Sequence, residues 1–328
     1  MMNKSTTMLF FTIIIISVIM SISSNSWFTI WMGMEINIMS FMPMIITKNT
    51  LSSKESSLMY FLVQTMASML LIMSIIMMKI KMIDNNILMM SALMMKSGVS
   101  PFHFWMPKMM EGMNWKNCLM LMTWQKIIPL TMMSNIIKMD MMMMMAIIMS
   151  IMVGAIGGLN QTSMRKLMAY SSINNNGWMM TAMMISEMMW LMYFIMYMMM
   201  TIIMTMTMNN YKIFHINQLM SMNESTSKKL ILMSNMLSIS GLPPMIGFLP
   251  KWIIIQSSMI HNKIMLMINL VMITLITVYY YLRMMYSAMI MTSTETKWMK
   301  KNTNSNIIMM INMMSILGLS MMTLIIML

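Results

Sequence analysis

The sequence is poor in charged residues and in cysteine. Only 9% of its 328 residues are charged, and Cys118 is its single cysteine. Soluble proteins carry about 25% charged residues. Together with a mean hydropathy of +0.72, this shortage argues against a soluble domain and predicts a polytopic membrane protein. One thiol excludes an internal disulfide, and it cannot supply the four thiolates of an iron–sulfur cluster.

Histidine is also scarce. His103, His215 and His261 are the three histidines, and they are not paired on apolar segments as two axial haem ligands would be. No Walker motif or dinucleotide fingerprint is present. We therefore predict that electrons do not pass through this chain, and that it binds no cofactor and no metal. The net charge of +13 comes without a basic stripe or an aromatic-basic motif, so no nucleic-acid partner is expected.

Methionine is abundant, at 73 of 328 residues. A functional methionine stripe would show regular spacing, but here methionine occurs wherever isoleucine or leucine could stand. This pattern is typical of AT-rich mitochondrial genes, in which AUA is read as methionine. The composition therefore favours a protein encoded in the organelle.

The hydrophobic runs predict an all-α polytopic fold. A membrane-spanning helix needs about 20 apolar residues. About eleven stretches qualify, at residues 4–21, 27–46, 57–78, 87–106, 117–137, 141–159, 167–186, 188–208, 230–258, 264–287 and 307–327. No linker is long enough to separate domains, so residues 1–328 are predicted to form a single transmembrane domain.

The basic residues predict the orientation of these helices. With eleven spans, fourteen lysines and arginines fall on the side of the N-terminus and only four fall on the other side, at Lys79, Lys81, Lys138 and Lys263. Loops that stay on the inner side of a membrane carry an excess of basic residues. The N-terminus is therefore predicted to face the matrix.

Four ionisable residues lie well inside apolar stretches: Glu35, Lys96, Lys126 and Lys251. A charge at the middle of a bilayer costs roughly 2.5–3.5 kcal/mol on insertion scales. Each residue could simply pair with a neighbouring helix as polar glue. Four such charges, three of them beside prolines, instead favour a functional path for ions or protons.

The prolines loosen the backbone near each lysine. A proline lacks an N–H group, so the carbonyl four residues before it loses its helical partner. The expected pairs are Pro101 with Ser97 near Lys96, Pro129 with Gln125 near Lys126, and Pro250 with Ile246 near Lys251. In a bilayer a freed carbonyl is tolerated only inside protein or beside water. Water or a carbonyl is therefore expected close to every buried lysine.

These residue types suit proton transfer. Burial disfavours the ammonium form of a lysine, and a nearby carboxylate favours it. A lysine held between the two influences can exchange protons near neutral pH. Glu35 is the natural partner of Lys96 or of Lys126, and the sequence does not decide between them. His103 could relay protons or simply donate to a freed carbonyl.

Several motifs resemble the NADH dehydrogenase subunit 2 family, the antiporter-like membrane subunits of mitochondrial respiratory complex I, in their invertebrate form. The motifs are Trp31-Met-Gly-Met-Glu-Ile-Asn-Ile-Met-Ser-Phe-Met-Pro43, Lys96-Ser-Gly-Val-Ser-Pro-Phe-His-Phe-Trp-Met-Pro107, Glu111-Gly-Met-Asn-Trp115, Trp124-Gln-Lys-Ile-Ile-Pro129 and Ser240-Gly-Leu-Pro-Pro-Met-Ile-Gly-Phe-Leu-Pro-Lys251. The match covers nearly the whole chain in order.

The resemblance implies two inverted repeats of five helices, each with a broken helix. The first would cover about residues 1–138 and the second about 141–258, followed by C-terminal helices at about 263–328. It also implies that Glu35, Lys96, Lys126 and Lys251 transfer protons.

The same resemblance implies a proton-translocating subunit of NADH:ubiquinone reductase, with other complex I subunits and membrane lipids as partners. NADH, FMN, iron–sulfur clusters and ubiquinone would be bound by other subunits. The alternatives are a stand-alone cation/proton antiporter and a membrane scaffold without transport.

Overall fold

The computed structural model describes residues 4–46, 50–80, 86–137, 141–220 and 226–290. These ranges contain fourteen helices and no strand, apart from one isolated β-bridge between Ser163 and His215. The helices are α1 Lys4–Ser23, α2 Trp27–Ile45, α3 Leu51–Lys79, α4 Asn86–Ser97, α5 Trp105–Gly112, α6 Trp115–Met122, α7 Trp124–Ile136, α8 Met141–Gly158, α9 Met164–Met183, α10 Glu187–Tyr211, α11 Ile216–Met220, α12 Thr226–Ser240, α13 Phe248–Ile260 and α14 Ile264–Ile290.

Six of the described helices, α1, α2, α3, α8, α10 and α14, are long and apolar enough to cross a membrane. The predicted all-helical, multi-pass membrane architecture is thereby confirmed. The total of eleven spans stays a prediction, and the last of them, residues 307–327, lies outside the described residues.

Polar side chains inside these helices bond mostly to their own helix. Ser17 Oγ donates to the Ile14 carbonyl and Ser74 Oγ to the Leu71 carbonyl, at 2.8 Å and 2.6 Å. Such bonds satisfy a hydroxyl within one turn. A serine can therefore lie in an apolar helix without a partner on another helix, which matters where no water is present.

The first unit, residues 1–146, is built around α3. This helix packs against α2, α4 and α5, while α1 lies along α2 and α4 contacts α7. Gly112 allows α5 to approach α3 closely, because a Cβ atom there would lie only 2.4 Å from the Ser52 carbonyl oxygen. The side chains at the end of α4 and the start of α7 are thus enclosed by protein.

The second unit, residues 147–328, is organised by α9 in its described part. Seventeen of the 20 residues of α9 are buried, including Asn174, Asn175 and Asn176. This helix contacts α10 and α13, while α12 lies between α10 and α14. The three asparagines lower the hydropathy of α9, so it is absent from the six apolar helices although it lies in the centre of this unit.

The predicted spans near the buried lysines are interrupted. α4 ends where Gly98 adopts a φ of +71°, and the Val99 N–H returns to the Met94 carbonyl at 3.0 Å. Glycine adopts this left-handed conformation without steric cost. Residues 98–104 then lead into α5. The apolar stretch 87–106, which was predicted to be one span, is therefore a short helix followed by a turn.

The predicted span at residues 117–137 is interrupted at a place that the sequence analysis did not anticipate. Proline chemistry pointed to Pro129, yet α7 continues through Pro129 and the interruption lies at Thr123, with φ −113° and ψ −74°. Lys126 therefore lies in the first turn of α7, and its N–H donates to the Thr123 carbonyl at 3.2 Å.

Candidate functional site

Lys96 lies in the last turn of α4 and is only 6% exposed. Its Nζ atom is 3.2 Å from the sulfur of Met34 on α2. On the other side, Gln64 of α3 donates to the Lys96 carbonyl at 3.3 Å. The side chain and the backbone of Lys96 are thus held by two different helices.

Glu35 follows Met34 on α2 and is partly buried. Its carboxylate acts electrostatically on the ammonium of Lys96. The sequence left open which lysine would lie near this carboxylate. The structure brings Lys96 within its electrostatic reach.

Lys126 is almost fully buried, with 2% of its surface exposed. The residue before it, Gln125, joins three helices. Tyr60 of α3 donates to Gln125 Oε1 at 3.2 Å, and Gln125 Nε2 donates to Asn37 Oδ1 of α2 at 2.9 Å. Asn37 is two residues from Glu35, so a hydrogen-bonded chain connects the neighbourhood of the carboxylate with the start of α7.

A small polar cavity lies between the two lysines. Its volume is ≈ 20 Å³, and it is lined by Tyr60, Gln64, Lys96, Ser97, Trp105, Met106, Leu121, Gln125 and Lys126. A cavity needs roughly 10–15 Å³ and two to four polar partners to hold a water molecule. This cavity meets both conditions, so it has room for one water between residues that include Lys96 and Lys126.

Sequence reasoning missed three polar residues of this site: Tyr60 and Gln64, which line the cavity, and Asn37, which accepts a hydrogen bond from Gln125. Tyr60 and Gln64 are four residues apart on α3 and therefore share one helix face, which was the available signal. Asn37 stands two residues after Glu35 on α2. Each of the three is a polar side chain inside an apolar stretch, which is the criterion that selected the four charged residues.

His103 lies between α4 and α5 and is 5% exposed. Its ring is 4.1 Å from the ring of Phe104, centroid to centroid. Among the described residues it does not line the cavity between the lysines. Its predicted role as a relay stays a prediction.

Lys251 belongs to the second unit, in the first turn of α13. Its Nζ atom donates to the Ser240 carbonyl at 2.7 Å and lies 5.8 Å from the centroid of the Trp178 ring. Ser240 is the last residue of α12, where carbonyls lack helical partners. The helix end therefore supplies an acceptor for the buried ammonium.

This arrangement differs from the one that the prolines suggested. Pro250 does not interrupt α13, because it lies in the first turn, where a missing N–H leaves no bond unmade. The Ile246 carbonyl, expected to be free, accepts from the Leu249 N–H at 3.1 Å. The expected acceptor near Lys251 exists, but it is the carbonyl of Ser240.

Gly241 makes room for Lys251. Its φ is +81°, and a Cβ atom there would lie 2.9 Å from Nζ and 2.9 Å from Cδ of Lys251. We expect Gly241→Ala to displace the lysine from the Ser240 carbonyl, and the left-handed backbone adds a cost of roughly 1–2 kcal/mol. The expected result is a severalfold loss of proton transport by an assembled complex, measured by a fluorescent pH probe in vesicles. Normal transport with Gly241→Ala would show that this contact is dispensable.

The asparagine run of α9 lies in the same unit. Tyr193 of α10 donates to Asn175 Oδ1 at 2.9 Å. Gly154 brings α8 close to this stretch, since a Cβ atom there would lie 2.7 Å from the Asn174 nitrogen. The run therefore serves close helix packing and also places polar groups inside the unit.

A family model described as "NADH:quinone oxidoreductase/Mrp antiporter, TM" matches residues 24–82 and 79–277. The chain is 44% identical to the NADH-ubiquinone oxidoreductase chain 2 of Anopheles gambiae, over 99% of each chain. It belongs to the NADH-ubiquinone oxidoreductase chain 2 family. The chain 2 of Locusta migratoria is 40% identical, over 97% of this chain and 96% of that one. The family assignment thus agrees with the resemblance found in the motifs around Glu35, Lys96, Lys126 and Lys251.

Solved structures share the fold. A chain of respiratory complex I from Thermus thermophilus, solved with bound aureothin, superposes with a TM-score of 0.82 at 17% identity, over 97% of this chain and 79% of that chain. A chain of the Mrp complex from Dietzia gives a TM-score of 0.78 at 13% identity, over 88% and 61%. The antiporter-like membrane fold is therefore common to both kinds of complex.

Proposed function

We propose that this chain is the proton-translocating membrane subunit of respiratory complex I that its family name denotes. It would lie in the mitochondrial inner membrane and help to couple NADH:ubiquinone electron transfer to proton pumping. One observation carries the proposal: Lys96 and Lys126, both buried in the first unit, line a single water-sized polar cavity. Two buried lysines at one cavity have no evident use in a passive scaffold.

In this proposal Glu35, Lys96 and Lys126 exchange protons in the first unit. The carboxylate of Glu35 acts on the charge of Lys96, and a water in the cavity would carry a proton between the two lysines. Lys251 performs the same chemistry in the second unit, where the Ser240 carbonyl holds its ammonium form. His103, between α4 and α5, relays protons to this path.

The chain itself performs no redox chemistry in this proposal. Within the described residues no cluster of three or more His, Cys, Asp or Glu side chains could hold a metal ion. NADH, FMN, the iron–sulfur clusters and ubiquinone would be bound by other subunits, which are its partners together with membrane lipids. The charge distribution supports an N-terminus on the matrix side, and the family supports the inverted repeats.

A native gel of the source membranes tests the assignment. We expect the chain, identified by its peptides, in the large band that oxidises NADH in the gel. A chain that migrates alone or in a small assembly without NADH oxidation would contradict the proposal and favour a stand-alone antiporter. Cation-driven proton exchange in vesicles would then be the next measurement.

Glu35→Gln tests the role of the carboxylate. The amide is nearly isosteric but carries no charge, so the electrostatic support for the ammonium of Lys96 is lost. We expect an assembled complex whose pumping rate falls severalfold and whose pH profile of pumping is displaced. Glu55→Gln is the matched control, because Glu55 is exposed near the start of α3. An unchanged rate and profile in Glu35→Gln would remove this residue from the path.

A further inference from the structure

A second, larger cavity lies at one end of the second unit, away from Lys251 and α13. Its volume is ≈ 360 Å³, and it is lined by Leu159, Asn160, Gln161, Thr162, Ile216, Met220, Arg283, Met284 and Ser287. It is formed by the loop between α8 and α9, by α11 and by the last third of α14. Proton transfer through the buried lysines makes no use of it.

Hydrogen bonds connect the segments that line this cavity. Met164 N donates to the Phe214 carbonyl at 2.9 Å, and Ile216 N donates to the Thr162 carbonyl at 3.1 Å. Arg283 donates through Nη2 to the Leu159 carbonyl. This bond uses one of the five N–H donors of the guanidinium and directs the group toward the α8–α9 loop.

The lining combines polar and apolar residues. Arg283, Asn160, Gln161 and Thr162 carry hydrogen-bond donors, and none of the lining residues is acidic. The apolar lining residues are Leu159, Ile216, Met220 and Met284. A ligand that fits must combine a negatively charged group that accepts hydrogen bonds with an adjoining apolar part.

Charge around the cavity also favours an anion. Arg165, whose guanidinium lies 4.9 Å from the Phe214 ring, and Lys212 lie at the same end of the unit. Glu187 is the single acidic residue in the described part of this unit. It begins α10, whereas the cavity lies beyond the other end of this 25-residue helix, about 37 Å away at 1.5 Å per residue.

Exposed apolar residues line the part of α14 that precedes the cavity. Met272, Leu275 and Tyr279 are 63%, 58% and 58% exposed. They stand at intervals of three and four residues and therefore form one stripe along the helix. In a membrane such a stripe faces acyl chains, and it leads toward Arg283 and Ser287, one and two further turns along.

We propose that this cavity binds the phosphodiester headgroup of an anionic membrane phospholipid. The phosphate would accept hydrogen bonds from Arg283 and from the side chains of the α8–α9 loop, while the acyl chains lie along α14. Arginine suits this role because its planar guanidinium can bind phosphate with two parallel bonds. Basic pockets between transmembrane helices are known binding sites for such headgroups.

The test uses the intact complex, purified and partly delipidated, with a phosphatidylglycerol that carries a photoreactive group on an acyl chain. We expect labelling of peptides from α14, and at least fivefold less labelling in Arg283→Gln. Arg283→Lys keeps the positive charge, so this variant should retain much of the labelling. Lys263→Gln is the control, because it removes one positive charge from the other end of α14, about 30 Å from Arg283 at 1.5 Å per residue.

Asn160→Asp provides a second variant, since Arg283→Gln also removes the bond to Leu159. Asn160 is exposed, and a carboxylate there should repel phosphate without affecting the helices. We expect it to reduce labelling by a similar factor, with assembly unchanged on a native gel. Labelling at the level of the unmodified complex in both variants would overturn the proposal.

Competition distinguishes the lipid from free phosphate. Excess unlabelled phosphatidylglycerol should suppress labelling, whereas phosphatidylcholine and millimolar inorganic phosphate should not. Suppression by inorganic phosphate to the same extent would overturn the headgroup assignment and show a site for the free anion. Equal suppression by phosphatidylcholine would show a lipid contact without charge selection, which also overturns it.

Discussion

Replacement of Lys126 by methionine is expected to lower the rate of proton translocation tenfold or more, in a complex that still assembles. Lys126 is 2% exposed and lines the cavity that Lys96 also lines. The substitution removes the ammonium from that cavity, so no group on α7 can take the proton onward. Pumping is measured with a fluorescent pH probe in vesicles, and NADH oxidation by the redox part is measured in parallel with an artificial electron acceptor.

Methionine removes the charge of Lys126 but largely preserves the packing of its side chain. It is unbranched, fills irregular spaces and has nearly the helix propensity of lysine. Removal of a buried charge also relieves an insertion cost of roughly 2.5–3.5 kcal/mol, so assembly should survive. Lys116→Met is the control, since Lys116 is exposed at the start of α6. If the Lys126→Met complex pumped protons at the normal rate, Lys126 would not transfer protons, and the interpretation as a scaffold would be favoured.

Gly247→Ala is expected to prevent accumulation of the assembled complex. Gly247 precedes α13, and a Cβ atom there would lie 1.7 Å from the Ser238 carbonyl oxygen and 2.9 Å from the Met200 sulfur. The first of these neighbours is backbone and cannot rotate away. Its oxygen also accepts from the Gly241 N–H at 3.1 Å. The methyl group must therefore push α12 and α13 apart.

The expected cost is at the upper end of the 1–3 kcal/mol that overpacking usually causes, or above it. The effect is measured as the amount of this chain in the NADH-oxidising band of a native gel. The Tm of the assembled complex gives a second measure. Gly33→Ala is the matched control, because the nearest atoms to its added Cβ, on α1, are at 3.1 Å and can yield by a few tenths of an ångström. Equal accumulation of the two variants would show that α12 and α13 can separate without loss of the fold.

Glycine and proline account for two of the three helix interruptions. Gly98 and the Gly241-Leu-Pro-Pro stretch lie where α4 and α12 end, because glycine and proline act on their own turn of the helix. The third interruption, at Thr123, has no glycine or proline beside it. Nothing in the local sequence predicts it.

The sequence predicted which charged residues are buried, but it did not predict which residues contact them. Burial of Lys96, Lys126 and Lys251 was predicted from their place in apolar stretches. Their neighbours were not, since Tyr60 and Gln125 are 65 residues apart, and Gln125 and Asn37 are 88 residues apart. Which polar groups meet across such separations depends on how the helices cross.

The sequence by itself determined the all-helical membrane architecture and the family, and it singled out the four buried charges, because these follow from apolar length and from motifs read over about 20 residues. The tertiary structure decided the cavity between Lys96 and Lys126, the acceptor of Lys251 and the cavity at Arg283. Each of these depends on groups from separate segments of the chain, and only helix packing brings those groups to one place.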